Sequence, residues 1–198
     1  MASLTRVLDR MLVVLEEEVL PVTQAAVTAG NKVFGAAVLR KGSLELVVVG
    51  TNEETKNPLS HGEISCLNRF WSLPRQGRPE PSECLFLSTH EPCSMCLSAI
   101  AWSGFDNFYY LFSYEDTRDA FEIPHDLNIL SEIFHCADGA YADENAYWTA
   151  YDIPGLVAQA PANARAKLQA QIADLRAQYD ILSERYQRIK GSGDIQLA

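Results

Sequence analysis

Two short motifs do most to limit the folds open to this chain: His61-Gly62-Glu63, and Pro92-Cys93-Ser94-Met95-Cys96. Each stands beside an apolar run, and each carries side chains that bind metals or move protons. Cys93 and Cys96 lie three apart, so on a helix both sulfurs reach one point. Pro92 suits the first position of that helix, which runs to about Trp102. The first turn of a helix favours negative charge, because its N–H groups are unpaired. Two thiolates there make an anionic half-site for a soft metal. His61 and Glu63 have a different geometry. Residues two apart on an ideal helix point to nearly opposite sides. Both serve one site only if His61 stands at the helix entrance with non-helical dihedrals, a turn that Gly62 makes easier. The rest of the chain reads as scaffold for these two pieces, or as walls for a pocket between them.

The flanking segments supply that scaffold. Ser3 to Ala29 is amphipathic, with Ser3 as a plausible N-cap, Pro21 as a bend or break, and Gly30-Asn31 as the stop. Val33–Arg40 and Leu44–Val49 read as strands joined by the turn Lys41-Gly42-Ser43, an antiparallel hairpin. Ile64, Leu67, Phe70 and Trp71 recur at helical spacing after His61. Cys84–Ser88 and Asn107–Phe112 are short apolar strands on either side of the Cys93 helix. The order α-β-β-α-β-α-β predicts helices packed on a mixed sheet, a three-layer α/β/α sandwich.

Beyond Ser113 the pattern is less regular. Leu127–Phe134 looks helical, and Gly139–Tyr151 is aromatic and acidic with no clean period, as in a wall or lid. From Pro161 the chain is regular again. Leu168, Ile172, Leu175, Tyr179, Leu182, Tyr186 and Ile189 alternate four and three apart, a heptad seam, and Gly191 ends it. Such a helix packs either on its own domain or on a second subunit. This divides the chain into a domain over residues 1–158 and a C-terminal helix over residues 159–198, and suggests a homodimer.

Composition narrows the partners. The 198 residues suit one hydrophobic core. No apolar run is long enough to span a bilayer, and the amphipathic N-terminus does not resemble a signal peptide, so a cytoplasmic protein is expected, with no membrane partner. Lys and Arg number 16 against 26 Asp and Glu, a net charge of -10 that disfavours binding to nucleic acid. The five cysteines are an odd number in a chain that is not small, which speaks against a disulfide framework. Cys66, Cys84 and Cys136 read as small buried hydrophobes.

Cys93-x-x-Cys96 alone could be a redox pair. With His61 as a third ligand it becomes a zinc site, Zn2+ held by His61, Cys93 and Cys96. A catalytic zinc keeps one position open for water, and Glu63 then acts as acid and base on that water. The chemistry is hydrolytic removal of an amino group from an amidine-like carbon, with Glu63 carrying protons to a ring nitrogen and to the leaving amine. A purely structural zinc would take a fourth ligand from His90, Cys66, His135 or Cys136. That leaves Glu63 without a role, and would make the chain an interaction module built on its heptad helix.

His-x-Glu followed by Pro-Cys-x-x-Cys resembles the signature of the cytidine deaminase superfamily. The likeness spans roughly Val33 to Phe112, and points to the branch of bacterial guanine deaminases, fungal-type cytosine deaminases and tRNA adenosine deaminases. Phe34-Gly35-Ala36 and Gly50-Thr51-Asn52 resemble that branch at the start of the first strand and after the second, the run Glu91–Ile100 with Trp102 resembles guanine deaminases, and His61-Gly62-Glu63-Ile64-Ser65 resembles fungal cytosine deaminase. The resemblance implies a free nucleobase or nucleoside as substrate, guanine first and cytosine second. It also implies that Asn52 contacts the base and that Asp126 meets its edge, where a carboxylate suits the adjacent N–H donors of guanine. A tRNA adenosine deaminase is the alternative that the charge disfavours. The segment after about Gly139 departs from these relatives.

Overall fold

The computed structural model describes residues 3–190 together with Ile195 and Leu197. A mixed five-stranded sheet, in the order β2-β1-β3-β4-β5, organises it. The strands are β1 (Gly35–Arg40), β2 (Leu46–Thr51), β3 (Cys84–His90), β4 (Asn107–Phe112) and β5 (Thr149–Asp152). β1 runs antiparallel to β2 and β3, and β3, β4 and β5 are parallel. The hairpin forms as expected, with one shift. Leu44 belongs to the turn rather than the strand, with φ at 63° and its N–H bonded to the Arg40 carbonyl.

The central strands are buried on both faces, as a sheet covered by helices requires. Ala37, Leu39, Leu85, Leu87 and Leu111 point into one core. Ala36, Val38, Phe86 and Phe108 point into the other. The first core is closed by α1 (Leu4–Val14), α2 (Leu20–Thr28), α7 (Ile153–Ala158) and α8 (Ala162–Ile189). The second is closed by α3 (Gly62–Ser72) and α4 (Ser94–Trp102). Two short helices, α5 (Tyr114–Asp119) and α6 (His125–Phe134), follow β4. The outcome is the α/β/α sandwich expected from the order of elements.

Ser3 caps α1 through its side chain. Pro21 does not break the first helix. A π-turn over Leu15–Val19 precedes it and joins α1 to α2, absorbing the hydrogen bond that proline cannot donate. The heptad seam of α8 faces its own chain. Leu168, Leu175, Tyr179 and Tyr186 are buried in the first core, and Arg176 pairs with both Asp116 oxygens at 2.9 and 3.0 Å. Gly191, the expected stop, lies outside the described residues. No described helix is long and apolar enough to cross a membrane.

The aromatic stretch after Gly139 packs rather than lining a site. Tyr151 stacks on Tyr109, and Trp148 and Tyr141 pack near Phe108. Trp102, the last residue of α4, is 92% exposed.

Candidate metal centre and substrate cavity

The N-termini of α3 and α4 meet at the sheet face. Each begins with a metal-donor residue as its N-cap. His61 has φ -63° and ψ 162°, and Cys93 has φ -62° and ψ 168°, so both are extended while the next residue is helical. Neither side chain caps its own helix, so both project ahead of it. His61 thus stands at the helix entrance, as the two-residue spacing to Glu63 demands. For the cysteines the register differs by a step from expectation. Pro92 precedes the N-cap instead of opening the helix, and its carbonyl accepts the Tyr114 hydroxyl at 2.5 Å.

Gly62 serves packing more than dihedral freedom. A Cβ there would lie 2.8 Å from the Gly35 Cα, so only glycine lets α3 start directly against β1. Asn52 secures the same point. Its Oδ1 accepts the Gly62 N–H at 2.5 Å, and its Nδ2 donates to Glu54 Oε2 at 2.5 Å. Asn52 is fully buried, with both ends of its amide engaged, and it is not part of the cavity lining. Through these bonds the residue expected to contact a base also links the start of α3 to Glu54. Glu91 fixes the loop before α4, accepting the Tyr114 N–H at 2.9 Å and the Tyr141 O–H at 2.7 Å. His90, a candidate fourth ligand for a structural zinc, is outside the donor cluster and packs among Phe34, Phe112 and Phe121.

The three donors converge. His61 Nδ1 lies 3.5 Å from Cys93 Sγ and 3.8 Å from Cys96 Sγ, and all three donor atoms fall within 4.8 Å of one another. Tetrahedral zinc, with bonds of about 2.1 Å to nitrogen and 2.3 Å to sulfur, sets its nitrogen and sulfur ligands roughly 3.6 Å apart. The donor set fits zinc in both chemistry and spacing, and leaves the fourth position open.

Glu63 lies against this triad. Its Oε2 is 3.4 Å from Cys96 Sγ, and its Oε1 accepts the Ser88 hydroxyl at 2.9 Å. In the metal-free chain, charge is distributed unevenly. Cys96 and the His61 ring hold the Cys93 thiol well below its usual range, whereas burial and Cys93 push the Cys96 thiol well above it. Burial, then the Cys93 charge, raises the Glu63 carboxyl. Burial opposes a charge on His61, but Cys93, Glu63 and Glu54 outweigh it and raise the ring to about 9. The cluster crowds together more acidic groups than can ionise at once, and a divalent cation would relieve that repulsion.

A cavity of about 230 Å³ opens onto the donors. Phe34, Glu54, His61, Cys93, Asp126 and Ile129 contribute to its wall. Asp126 therefore reaches the cavity from α6, and burial followed by the Cys93 charge raises its carboxyl to about 7. Phe34, read as core, is both buried and part of the wall. Lys32, Glu54 and His125 also line the cavity, and none was singled out as a site residue in the sequence. A lysine opening the β1 run was the one available signal. Cys66 and Cys84 are buried, with thiols raised by burial, and are not near enough to join the donors; Cys136 and His135 lie past α6, outside the cluster.

Comparison with known proteins agrees with this geometry. Guanine deaminase of Bacillus subtilis (strain 168) is 27% identical over 89 residues, covering 44% of this chain and 54% of that protein. The chain thus matches about half the length of this curated relative. The solved guanine deaminase from Nitrosomonas europaea superposes with a TM-score of 0.51 at 21% identity, over 89% of this chain and 86% of that one. A solved guanine deaminase from Bacillus subtilis gives a TM-score of 0.50 at 23% identity, over 73% and 82%. Both share the fold. The model of the cytidine and deoxycytidylate deaminase zinc-binding region matches residues 13–112, which include both motifs, and the chain belongs to that family.

Proposed function

We propose that this chain is a zinc-dependent hydrolase that removes the amino group from a free nucleobase, with guanine the first choice and cytosine the second. The observation that carries this reading is the contact of Glu63 with the His61, Cys93 and Cys96 triad beside a small cavity. A cavity of about 230 Å³ lies below the range of about 300–1,000 Å³ for drug-sized ligands and suits one heterocycle. The similarity to guanine deaminase of Bacillus subtilis supports guanine.

Zinc held by the three donors supplies Lewis acidity at the open position. The remaining work belongs to side chains. Ser88 holds Glu63 Oε1, which leaves Oε2, on the Cys96 side, to carry two protons in turn: the first from the attacking water to a ring nitrogen, the second from the hydroxyl so added to the departing amine, which leaves as ammonia. Glu63 is only 4% exposed, so bulk water does not compete for that proton. Asp126 meets the N–H edge of the base. Asn52 acts at one remove, by holding Glu54 and the start of α3. Residues 1–158 are the deaminase domain, which α8 of the C-terminal segment 159–198 closes, in a cytoplasmic homodimer.

The test is ammonia release by the purified, zinc-loaded chain from guanine, cytosine, adenine, their nucleosides and aminated pterins. Turnover of guanine that is lost in Glu63→Gln supports the proposal. Silence on every compound, with zinc bound, overturns it.

A further inference from the structure

A pair of opposite charges is buried in the cavity wall beside the donors. Lys32 Nζ lies 3.0 Å from Glu54 Oε1, and the two side chains are only 5% and 2% exposed. Removing two charges from water is costly, and an ion pair in such a place is weak evidence for stability alone. The surroundings of Glu54 suggest another use. Its Oε2 accepts from Asn52 Nδ2, and its Oε1 faces His61 Nε2 at 3.7 Å. The other nitrogen of that ring, Nδ1, faces both sulfurs.

An imidazole donates to a metal through Nδ1 only when that nitrogen carries no proton. The ring proton must then sit on Nε2, the nitrogen that Glu54 faces. The separation of 3.7 Å is beyond hydrogen-bond range, so the coupling is one of charge. A carboxylate at that place favours the Nε2–H tautomer and makes Nδ1 a better donor. Lys32 and Asn52 fix the carboxylate from two other directions, one on each oxygen.

We propose that Glu54 is a positioning residue for the metal centre. It holds His61 as the Nε2–H tautomer with Nδ1 turned to the cysteines, and Lys32 and Asn52 hold it in turn. This rests on the zinc reading of the triad. It gives the buried ion pair a purpose beyond joining the segment before β1 to the loop after β2.

Zinc affinity of the full chain, measured by competition with a chromophoric chelator, tests this in the wild type, Glu54→Gln and Glu54→Ala. The metal-free thermal midpoint of each variant reports folding separately. We expect zinc binding to weaken about 10- to 100-fold in both variants, as for outer partners of metal-binding histidines. Affinity within twofold of the wild type in both overturns the proposal. Nitrogen-15 NMR of the zinc-loaded wild type gives a reading that does not depend on a variant folding. The nitrogen shifts should mark Nε2 of His61 as the protonated nitrogen and Nδ1 as the metal-bound one, and a proton on Nδ1 overturns the proposal. A wild type that binds no zinc, or a Cys96→Ser chain that binds it equally well, removes the zinc reading itself and the proposal with it.

Discussion

Glu63 and Cys96 are in contact across the start of two helices, carboxylate Oε2 to Sγ at 3.4 Å, while Ser88 donates to the other carboxylate oxygen at 2.9 Å. The carboxylate proposed as the proton carrier is thus fixed beside a candidate metal donor, outside the donor cluster itself. Replacing Glu63 by Gln keeps its size and removes its basicity. We expect turnover to fall by about 10²- to 10⁴-fold, the usual worth of a positioned acid–base group. Bound zinc, measured by atomic absorption, should remain near one per chain. Near-normal turnover with zinc bound would falsify the role given to Glu63.

Ser88 has a smaller part. The Ser88→Ala change takes away one hydrogen bond to a charged group, worth about 1.5–3 kcal/mol. Turnover should drop by roughly ten-fold or somewhat more, because Glu63 is then free to turn. Zinc content should not change. Loss of zinc in this variant would show that Ser88 supports the donors instead.

Metal removal should lower stability, because the donors converge only in the folded chain. A ligand at a thousand times its dissociation constant stabilises by about 4 kcal/mol. For a chain of this size that corresponds to a fall of roughly 10 °C in Tm on chelation. Differential scanning calorimetry with and without chelator reads the shift. The Cys96→Ser chain should show no difference between the two conditions.

Residues that act through local spacing were legible before the fold was known. The two-residue gap between His61 and Glu63 already required an extended His61, and the three-residue gap between Cys93 and Cys96 required a helix. Glu54 was not legible. Its partners Lys32, Asn52 and His61 come from the segment before β1, the end of β2 and the start of α3, and only the packed sheet brings them together. The bond from the Gly62 N–H to the Asn52 amide oxygen was equally hidden, because it joins the loop after β2 to the start of α3. Trp102 stands among apolar residues in sequence, yet it is 92% exposed at the end of α4.

Gly62 offers a test of the close approach that aligns the two helices. A methyl group at this position would meet the Gly35 Cα at 2.8 Å and the Gly35 nitrogen at 2.9 Å, both backbone atoms with little room to yield. Gly62→Ala should therefore destabilise by about 1–3 kcal/mol, the range for overpacking a tight contact. Urea denaturation would show a lower midpoint at unchanged slope. Because the added group pushes α3 from β1 where His61 is seated, zinc affinity should fall as well. An unchanged midpoint would mean that the contact is looser than it stands here.

His90 should make folding sensitive to acid. It is 2% exposed at the end of β3, packed against Phe34, Phe112, Phe121 and Tyr179, with Nδ1 2.9 Å from Thr89 Oγ1. Burial lowers its pKa from 6.5 to about 3, while Asp116 and Arg176 act in opposite directions and change this little. The folded chain therefore keeps the ring neutral at pH values where the unfolded chain protonates it. Its contribution is fully present above pH 6.5 and is lost as pH falls towards about 3. Within that window the slope from this single group is about 1.4 kcal/mol per pH unit. His90→Gln removes the titrating ring. Metal-free wild type and His90→Gln, unfolded in urea between pH 7 and pH 4, should differ in slope by this amount, with the variant less sensitive to acid. Metal-free chains are required, because zinc released from His61 and the cysteines at low pH would add its own acid dependence to both. Parallel curves for the two proteins would place the acid limit elsewhere, in the carboxylates that pair with Lys and Arg.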